Sequence, residues 1–277
     1  MAITVRAMSA ADIAGGLRLC RASGWNQLED DWRAIIESPG GAWLAERDGN
    51  VIGTAALMRY DALAWVAMML VDPAERRTGL GSRMLSEALA AAKGAPCIGL
   101  DATPAGEPLY RRYDFVESYS LVRIKATIDP ARFDDLSGAA RPMSAADLPA
   151  VCQRDREVFG ADRSGLLASL LERAPECAWV VDGGGYCFGR PGYLYHQLGP
   201  IVATDGAAAR DLAAHCLAQL GGRPVAIDVP RFDAEWLAWL ASTGFVEERP
   251  FVRMFLRGHV DPGRPSQQFS ICGPEFA

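Results

Sequence analysis

The chain has 277 residues, a formal net charge of −6 at pH 7 and 50% hydrophobic residues. This length exceeds one compact domain, and the apolar half can supply a large core. The acidic balance argues against nucleic acid as a partner. Every apolar run is shorter than the roughly 18–20 residues of a membrane span, and residues 1–7 lack the features of a signal peptide. We therefore expect a cytoplasmic protein with no membrane or nucleic-acid partner.

The cysteines and histidines argue against a metal centre. The seven cysteines are odd in number and show no Cys-x-x-Cys spacing. This favours buried reduced thiols over a disulfide or zinc framework. Only three histidines occur, so the sequence predicts no His-based metal site.

The first half of the chain predicts strands and helices in a regular order. A strand over 3–7 precedes helices over 10–22 and near 27–37, and Asp48-Gly49-Asn50 is a turn signal typical of a hairpin. The other predicted elements are strands 41–47, 51–60, 64–71, 97–102 and 115–126 and helices 81–93 and 106–113. This order predicts antiparallel strands first and a parallel strand–helix–strand step after them.

A glycine-containing loop lies between the strand that ends at Val71 and the next predicted helix. Residues 76–81 read Arg-Arg-Thr-Gly-Leu-Gly. The free N–H groups and positive dipole end of a helix start bind anions, and Gly79 and Gly81 allow a phosphate to approach the backbone closely. The loop is not a dinucleotide Gly-x-Gly-x-x-Gly, since position 84 is Met, and it lacks the P-loop Gly-Lys-Ser/Thr. The alternative interpretation is an ordinary solvated strand–helix loop.

A second pattern follows, in which Leu109-Tyr110 precede Asp114-Phe115. The two patterns, in this order, resemble the signatures of the GNAT acyltransferase superfamily: Arg/Gln-x-x-Gly-x-Gly/Ala for the pyrophosphate of acetyl-CoA, then Leu-Tyr-x-x-x-Gly-Phe. Asp114 replaces the usual Gly of the second signature, and Asp tolerates the left-handed conformation better than most residues. The alternative interpretation of Tyr110 is a core tyrosine with a satisfied hydroxyl.

The chain also repeats itself. The segment Arg6-Ala-Met-Ser-Ala-Ala-Asp-Ile13 returns as Arg141-Pro-Met-Ser-Ala-Ala-Asp-Leu148. Three shorter matches follow in the same order: 100–101 with 227–228, 115–117 with 245–247, and 122–124 with 252–254. Four ordered matches indicate a duplication. We predict an α/β (α+β) fold made of two GNAT-like domains in tandem, each with a mixed, mostly antiparallel sheet flanked by helices.

The predicted boundaries are 1–128 for an acetyl-CoA-binding catalytic domain (the first copy), 129–140 for a linker, 141–258 for a degenerate GNAT-like domain (the second copy) and 259–277 for a C-terminal tail. The second copy has the same order of elements, with strand 197–203, helix 211–220 and helix 234–242, but no Gly-x-Gly and no counterpart of Tyr110. Its predicted role is either to cover the first copy or to shape the acceptor pocket. The tail is expected to be irregular, with Phe269 and Phe276 as candidates for docking.

The resemblance implies a cofactor site between strands 64–71 and 97–102, which splay apart in this superfamily. Backbone groups of Met69, Leu70 and Val71 would hydrogen-bond the pantetheine arm, and Tyr110 would protonate the departing thiolate. The remaining cofactor-binding predictions are Arg76, Arg77, Thr78, Gly79, Leu80, Gly81 and Ser82 for the pyrophosphate, with Asp101 and Tyr113 beside them.

The resulting prediction is an N-acetyltransferase that moves the acetyl group of acetyl-CoA to a primary amine of a small molecule, without a metal. The alternatives are a non-catalytic acyl-CoA sensor and an acyltransferase for a protein or peptide amine, and a homodimer stays open. The sequence leaves the general base open among Glu46, Asp61, Asp101, a water chain and His196. Trp25, Asn26 and Trp65 are candidates for the acceptor pocket, although a core position is the default for each tryptophan. The acidic run 29–31 is read as a solvated helix start that would at most attract a cationic amine.

Overall fold

The computed structural model describes residues 2–133, 136 and 138–277. Within these residues thirteen strands form one continuous sheet, and helices cover both of its faces. The strand Asn50–Arg59 shows this. Its residues Ala56 and Met58 belong to the core under the first two helices, whereas Ala55 and Leu57 belong to the core on the opposite face. The mixed, mostly antiparallel sheet flanked by helices confirms the predicted fold class. In the described part of the chain, no helix is long and apolar enough to cross a membrane.

The elements of the first copy follow the predicted order, with ends shifted by one or two residues at most positions. They are β1 (Thr4–Ala7), α1 (Ile13–Ala22), α2 (Glu29–Glu37), β2 (Ala42–Arg47), β3 (Asn50–Arg59), β4 (Leu63–Val71), α3 (Leu80–Ala91), β5 (Cys97–Ala102), α4 (Glu107–Arg111) and β6 (Phe115–Thr127). The hairpin turn forms at Asp48 and Gly49, both with positive φ (54° and 76°), as the Asp-Gly signal predicts. Asp114 also adopts a positive φ of 64°, so the departure from Gly in the second signature is tolerated.

The second copy repeats this order. Its elements are β7 (Arg141–Pro142), α5 (Leu148–Phe159), α6 (Ser164–Arg173), β8 (Trp179–Val181), β9 (Gly185–Arg190), β10 (His196–Ala203), α7 (Gly206–Gln219), β11 (Pro224–Pro230), α8 (Ala234–Ser242) and β12 (Val246–Leu256), followed by β13 (Gln268–Ser270). Helix α7 begins five residues before the predicted 211, because Asp205 caps it. The predicted linker 129–140 includes residues 134, 135 and 137, which lie outside the described residues.

The two copies exchange a strand. The sheet order is β1-β2-β3-β4-β5-β12-β6-β11-β10-β9-β8-β7. Strand β12 of the second copy therefore lies between β5 and β6 of the first, and β6 lies between β12 and β11 of the second. All three of these new neighbour pairs are antiparallel. Each half of the sheet is completed by a strand from the other half.

Two buried ion pairs bridge the exchanged strands. Asp101 on β5 accepts from the Nε and Nη2 groups of Arg253 on β12, both at 2.9 Å. Asp228 on β11 accepts from the same groups of Arg123 on β6, at 2.7 and 2.6 Å. The repeat aligns Asp101 with Asp228 and Arg123 with Arg253, so the two pairs are equivalent. In each pair the acid comes from one copy and the arginine from the other.

Strands β4 and β5 diverge where the site is expected. Their parallel pairing covers only Leu63–Trp65 against Cys97–Gly99. Beyond it β4 bulges at Met68, which has a φ of 49°, and the Met68 carbonyl accepts a hydrogen bond from Thr54 Oγ1 at 2.8 Å. A bulge bends its strand, so the end of β4 leaves β5 and a gap opens between them, as predicted.

The equivalent gap of the second copy is filled by the C-terminal segment. Strand β10 pairs with β11 only from His196 to Leu198, and β13 then pairs with β10 at Ile201 and Val202. On the other side, the Ile271 N–H donates to the Asp228 carbonyl at 3.0 Å. The prediction of an irregular tail is therefore wrong for these residues.

The register shows which positions β13 occupies. Trp65 pairs with Gly99, and Gln197 pairs with Ala226. Gly99 lies two residues before Asp101, and Ala226 lies two residues before the aligned Asp228, so Trp65 corresponds to Gln197. Four and five residues further along each strand, Met69 and Leu70 correspond to Ile201 and Val202. Strand β13 thus pairs at the positions that correspond to the predicted pantetheine contacts of the first copy. The predicted docking of the tail is confirmed, since Phe269 and Phe276 are both buried.

Candidate active site

A cavity of about 520 Å³ opens in the gap between β4 and β5. The end of β4 forms one wall, from Val66 to Val71, and the turn before α4 forms another. The second copy and the C-terminal segment also contribute to its lining, with Arg249, Phe251, Pro274 and Glu275. The cavity is therefore built from both halves of the chain.

The loop at the start of α3 has open backbone donors. The helix begins at Leu80 after Gly79, which has a φ of 90° and makes no side-chain capping bond. Among the described residues, no acceptor binds the N–H groups of Leu80, Gly81 or Ser82. An added Cβ on Gly79 would meet no atom of the described residues within 4 Å, apart from Gly79 itself and its two chain neighbours. The helix dipole and these free donors make a site that fits a phosphate group.

The second copy lacks such an opening. Its equivalent helix α7 is capped by Asp205, whose carboxylate accepts from the Ala208 N–H at 2.9 Å. This hydrogen bond lowers the pKa of Asp205, so the cap is negatively charged at neutral pH. The carboxylate therefore occupies one of the donors that a pyrophosphate would need, and its charge repels an anion.

Tyr110 lies in the first copy at the inner end of the cavity lining. It sits on α4, is 7% exposed, and packs edge-on against Phe115 with ring centroids 6.0 Å apart. Among the described residues, its hydroxyl makes no hydrogen bond. Burial raises the pKa of Tyr110 above its ordinary value, so the phenol keeps its proton at neutral pH and can donate it.

The other predicted cofactor residues divide into two groups. Met69, Leu70, Val71, Arg76, Gly81 and Asp101 line the cavity. Arg77 and Thr78 are exposed in the loop, Leu80 is buried in the core, and Tyr113 lies beside the loop. The Tyr113 hydroxyl donates to the Ser82 carbonyl at 3.2 Å, which places Tyr113 behind the helix start. Both carboxylate oxygens of Asp101 are engaged by Arg253.

Of the four side chains considered as a base, only Asp101 lines the cavity. Glu46 pairs with Arg6 on the surface, and Asp61 pairs with Arg156. His196 lies beside Arg223, with its pKa lowered by burial. None of these three contributes to the cavity lining.

Trp25 and Asn26, the candidates for the acceptor pocket, line the cavity together with Gln27. Asn26 is buried and holds the second copy in place, since its side chain binds the backbone of Leu194 and Tyr195. Trp65 is fully buried and donates through Nε1 to the Pro274 carbonyl at 2.9 Å, so it is a core residue.

The prediction of a solvated acidic run over 29–31 is wrong for Asp31. This side chain is fully buried and pairs with Arg173 at 3.0 Å and Arg190 at 3.3 Å. It also accepts the Leu28 N–H at the start of α2. The three acidic residues do not contribute to the cavity lining, so they do not receive an amine there.

Sequence reasoning missed Glu275, the acid in the cavity that comes from the C-terminal segment. Its Oε1 accepts from Gln27 Nε2 at 2.9 Å and from Arg190, whereas its Oε2 binds no donor among the described residues. The aromatic residues of the tail signalled docking, but no sequence pattern marked this glutamate. Arg249 and Phe251 were also missed, since they enter the site only through the strand exchange.

No group of three or more His, Cys, Asp or Glu side chains in the described ranges is arranged to hold a metal ion.

Known proteins resemble this chain in sequence and in fold. Two family models, each described as an acetyltransferase (GNAT) domain, match residues 38–117 and 151–270. An uncharacterized N-acetyltransferase, YitH of Bacillus subtilis (strain 168), is 26% identical over 225 residues, 79% of each chain. The holothin acyltransferase of Pseudoalteromonas sp. (strain SANK 73390) is 26% identical over 242 residues, 85% of this chain and 81% of that protein. The crystal structure of an acetyltransferase-like protein from Pyrococcus horikoshii has a TM-score of 0.84 at 21% identity, covering 99% of this chain and 96% of its own.

Proposed function

Since the chain belongs to the GNAT superfamily of acyltransferases, with two GNAT domains in tandem, we propose that its first copy transfers the acetyl group of acetyl-CoA to a primary amine of a small molecule. The observation that carries this proposal is the cavity between β4 and β5. It joins an open helix start, a free strand edge and a protonated tyrosine in one space.

The residues of the first copy fit acetyl-CoA. The free N–H groups of Leu80, Gly81 and Ser82 would hold the pyrophosphate, and Arg76 at the cavity rim would add positive charge. Among the described residues, no strand pairs with the edge of β4 from Met69 to Val71 on the β5 side, so this edge can hydrogen-bond an extended pantetheine arm. The thioester supplies an electrophilic acetyl carbon with a sulfur leaving group.

Two residues would handle the protons. As the amine nitrogen forms its bond to the acetyl carbon and the C–S bond breaks, Tyr110 would give its phenolic proton to the sulfur. Glu275 would take the proton that the nitrogen loses, through its unengaged Oε2. A backbone N–H of β4 near the bulge would polarise the thioester carbonyl.

We propose one active site per chain. The second copy has a carboxylate at the start of α7 in place of the open donors, and β13 occupies the strand edge that a pantetheine arm would need. The second copy instead lends the wall residues Arg249 and Phe251 to the site of the first.

The cavity favours a small acceptor over a protein, because the second copy and residues 274–275 contribute part of its lining. The sensor alternative leaves a protonated Tyr110 beside the cleft without a role. The acyl group is taken as acetyl, although one relative is named an acyltransferase for holothin.

A calorimetric titration of the intact protein with acetyl-CoA tests the proposal. We expect one site per chain, followed by release of free thiol when a panel of primary amines is added. Two sites would contradict the silent second copy, and absence of binding would refute the proposed function. Binding without thiol release for any amine would favour the sensor.

A further inference from the structure

Arg123 and Arg249 line the cavity, and two further arginines pair with acids that line it, Arg253 with Asp101 and Arg190 with Glu275. One of these four arginines lacks a partner acid. Arg123 is paired with Asp228, Arg253 with Asp101, and Arg190 with Asp31 and Glu275. Arg249 makes no salt bridge or hydrogen bond with any described residue. Its Nε is buried and unpartnered.

Arg249 is held at the cavity wall. Its guanidinium lies 4.9 Å from the centre of the Phe251 ring, and Phe251 lines the same cavity. In the sheet it stands opposite Arg123. Burial and the charge of Arg123 lower the pKa of Arg249.

The acids near Arg249 are already engaged. Asp228 is bound by Arg123 and by Gln197, and Glu248 pairs with Lys125 at 2.5 Å. Arg249 is half-buried, and a partly buried guanidinium without a counter-charge is unfavourable. A planar carboxylate would accept two parallel hydrogen bonds from it.

The cavity also has unsatisfied acceptors. Gln27 Oε1 is buried and unpartnered, and Glu275 Oε2 is unengaged among the described residues. Both side chains line the cavity. These two oxygens, Gln27 Oε1 and Glu275 Oε2, can accept hydrogen bonds from the N–H groups of an amine. The guanidinium of Arg249 can donate hydrogen bonds to an anion.

We propose that the acceptor is a primary amine that also bears a carboxylate, an amino acid in the broad sense, with Arg249 binding the carboxylate and with Gln27 and Glu275 receiving the amine. This inference rests on the proposed function, because it names the substrate class of that same site. Arg249 is a specificity residue and takes no part in the bond changes.

The experiment measures thiol release from acetyl-CoA with matched acceptors: a panel of α- and ω-amino acids, each compared with its own carboxamide, which keeps the shape and loses the charge. We expect kcat/KM for the best acid to exceed that of its amide by about 10- to 100-fold, as expected for a charged hydrogen-bonded pair. In Arg249→Gln this ratio should fall close to one, while the KM for acetyl-CoA stays unchanged. Arg249→Lys should retain part of the preference.

Arg231→Gln is the control. Arg231 is a surface residue that pairs with Glu247, and Glu247 lies on β12, the strand that carries Arg249. It should leave the acid-to-amide ratio intact. Equal rates for acids and amides in the wild type, or a ratio that survives Arg249→Gln in a protein with a normal melting curve, would overturn the proposal. Acetyl-CoA binding without turnover of any acid would also overturn it and leave the cofactor site standing. Loss of acetyl-CoA binding in the wild type would instead refute the proposed function.

Discussion

Gly79 gives the sharpest test of the cofactor site, because the chain contains a matched glycine elsewhere. Gly79 precedes α3 with a φ of 90°, and Gly94 follows the same helix with a φ of 82°. An added Cβ would meet no atom of the described residues within 4 Å at either position. Replacement by alanine therefore imposes similar backbone strain at both, of about 1–2 kcal/mol, which lowers the melting temperature by a few degrees.

Binding of acetyl-CoA should separate the two variants. At Gly79 the added methyl group would lie beside the free N–H groups of α3. A change in the backbone that relieves the strain would turn these N–H groups away from the pyrophosphate. Loss of one charge-assisted hydrogen bond costs about 1.5–3 kcal/mol, so Kd should rise by about 10- to 100-fold. Gly94→Ala should bind acetyl-CoA like the wild type.

Isothermal titration calorimetry well below both melting temperatures measures the difference. A Gly79→Ala protein with wild-type affinity would show that the loop does not hold the pyrophosphate. An equal loss in Gly94→Ala would mean that the effect comes from strain in α3 and not from the loop.

Three further predictions concern single side chains. Tyr110→Phe should lower kcat and leave the Kd of acetyl-CoA unchanged. Because burial raises the pKa of the phenol, ionisation of Tyr110 should not lower the wild-type kcat below about pH 10. A fall in kcat below that pH that is absent from the variant would contradict the buried environment described for Tyr110. Asp228→Asn leaves Arg123 buried and unpaired, so it should cost about 3–5 kcal/mol in thermal denaturation, whereas Glu247→Gln, at an exposed pair, should cost less than about 1 kcal/mol; similar losses would refute this ranking. Glu275→Gln should lower kcat with little change in the KM of acetyl-CoA, and unchanged turnover across the pH profile would remove Glu275 as the proton acceptor.

The positions of the glycine loop and of Tyr110 beside one cavity could be predicted from sequence because their determinants are local. The loop 76–82 and the Tyr110 helix each lie within a few residues of a strand end, so their spacing alone indicates their placement. The strand order could not be predicted in this way. Strands β6 and β12 have similar sequences, and either would satisfy the hydrophobic pattern next to β5.

The residues that the second copy and the C-terminal segment add to the cavity could not be predicted, for the same reason. Arg249 reaches the cavity only because β12 crosses into the first copy, and Glu275 only because the C-terminal segment docks there. Strand β13 has three residues, too few for a periodic pattern. The buried position of Asp31 was also hidden, because its partners Arg173 and Arg190 are distant in sequence.

The strand exchange has a consequence for synthesis on the ribosome. The first copy emerges first, but its β5 lacks the partner on the side away from β4 until residues 246–256 have been translated, and the cavity lacks part of its lining until residue 275 follows. During that time the nascent chain presents an open sheet edge, which invites pairing with other chains. We therefore expect a product truncated before residue 246 to lack transfer activity even though it contains the whole of loop 76–82, since the cavity is complete only once residue 275 has been made.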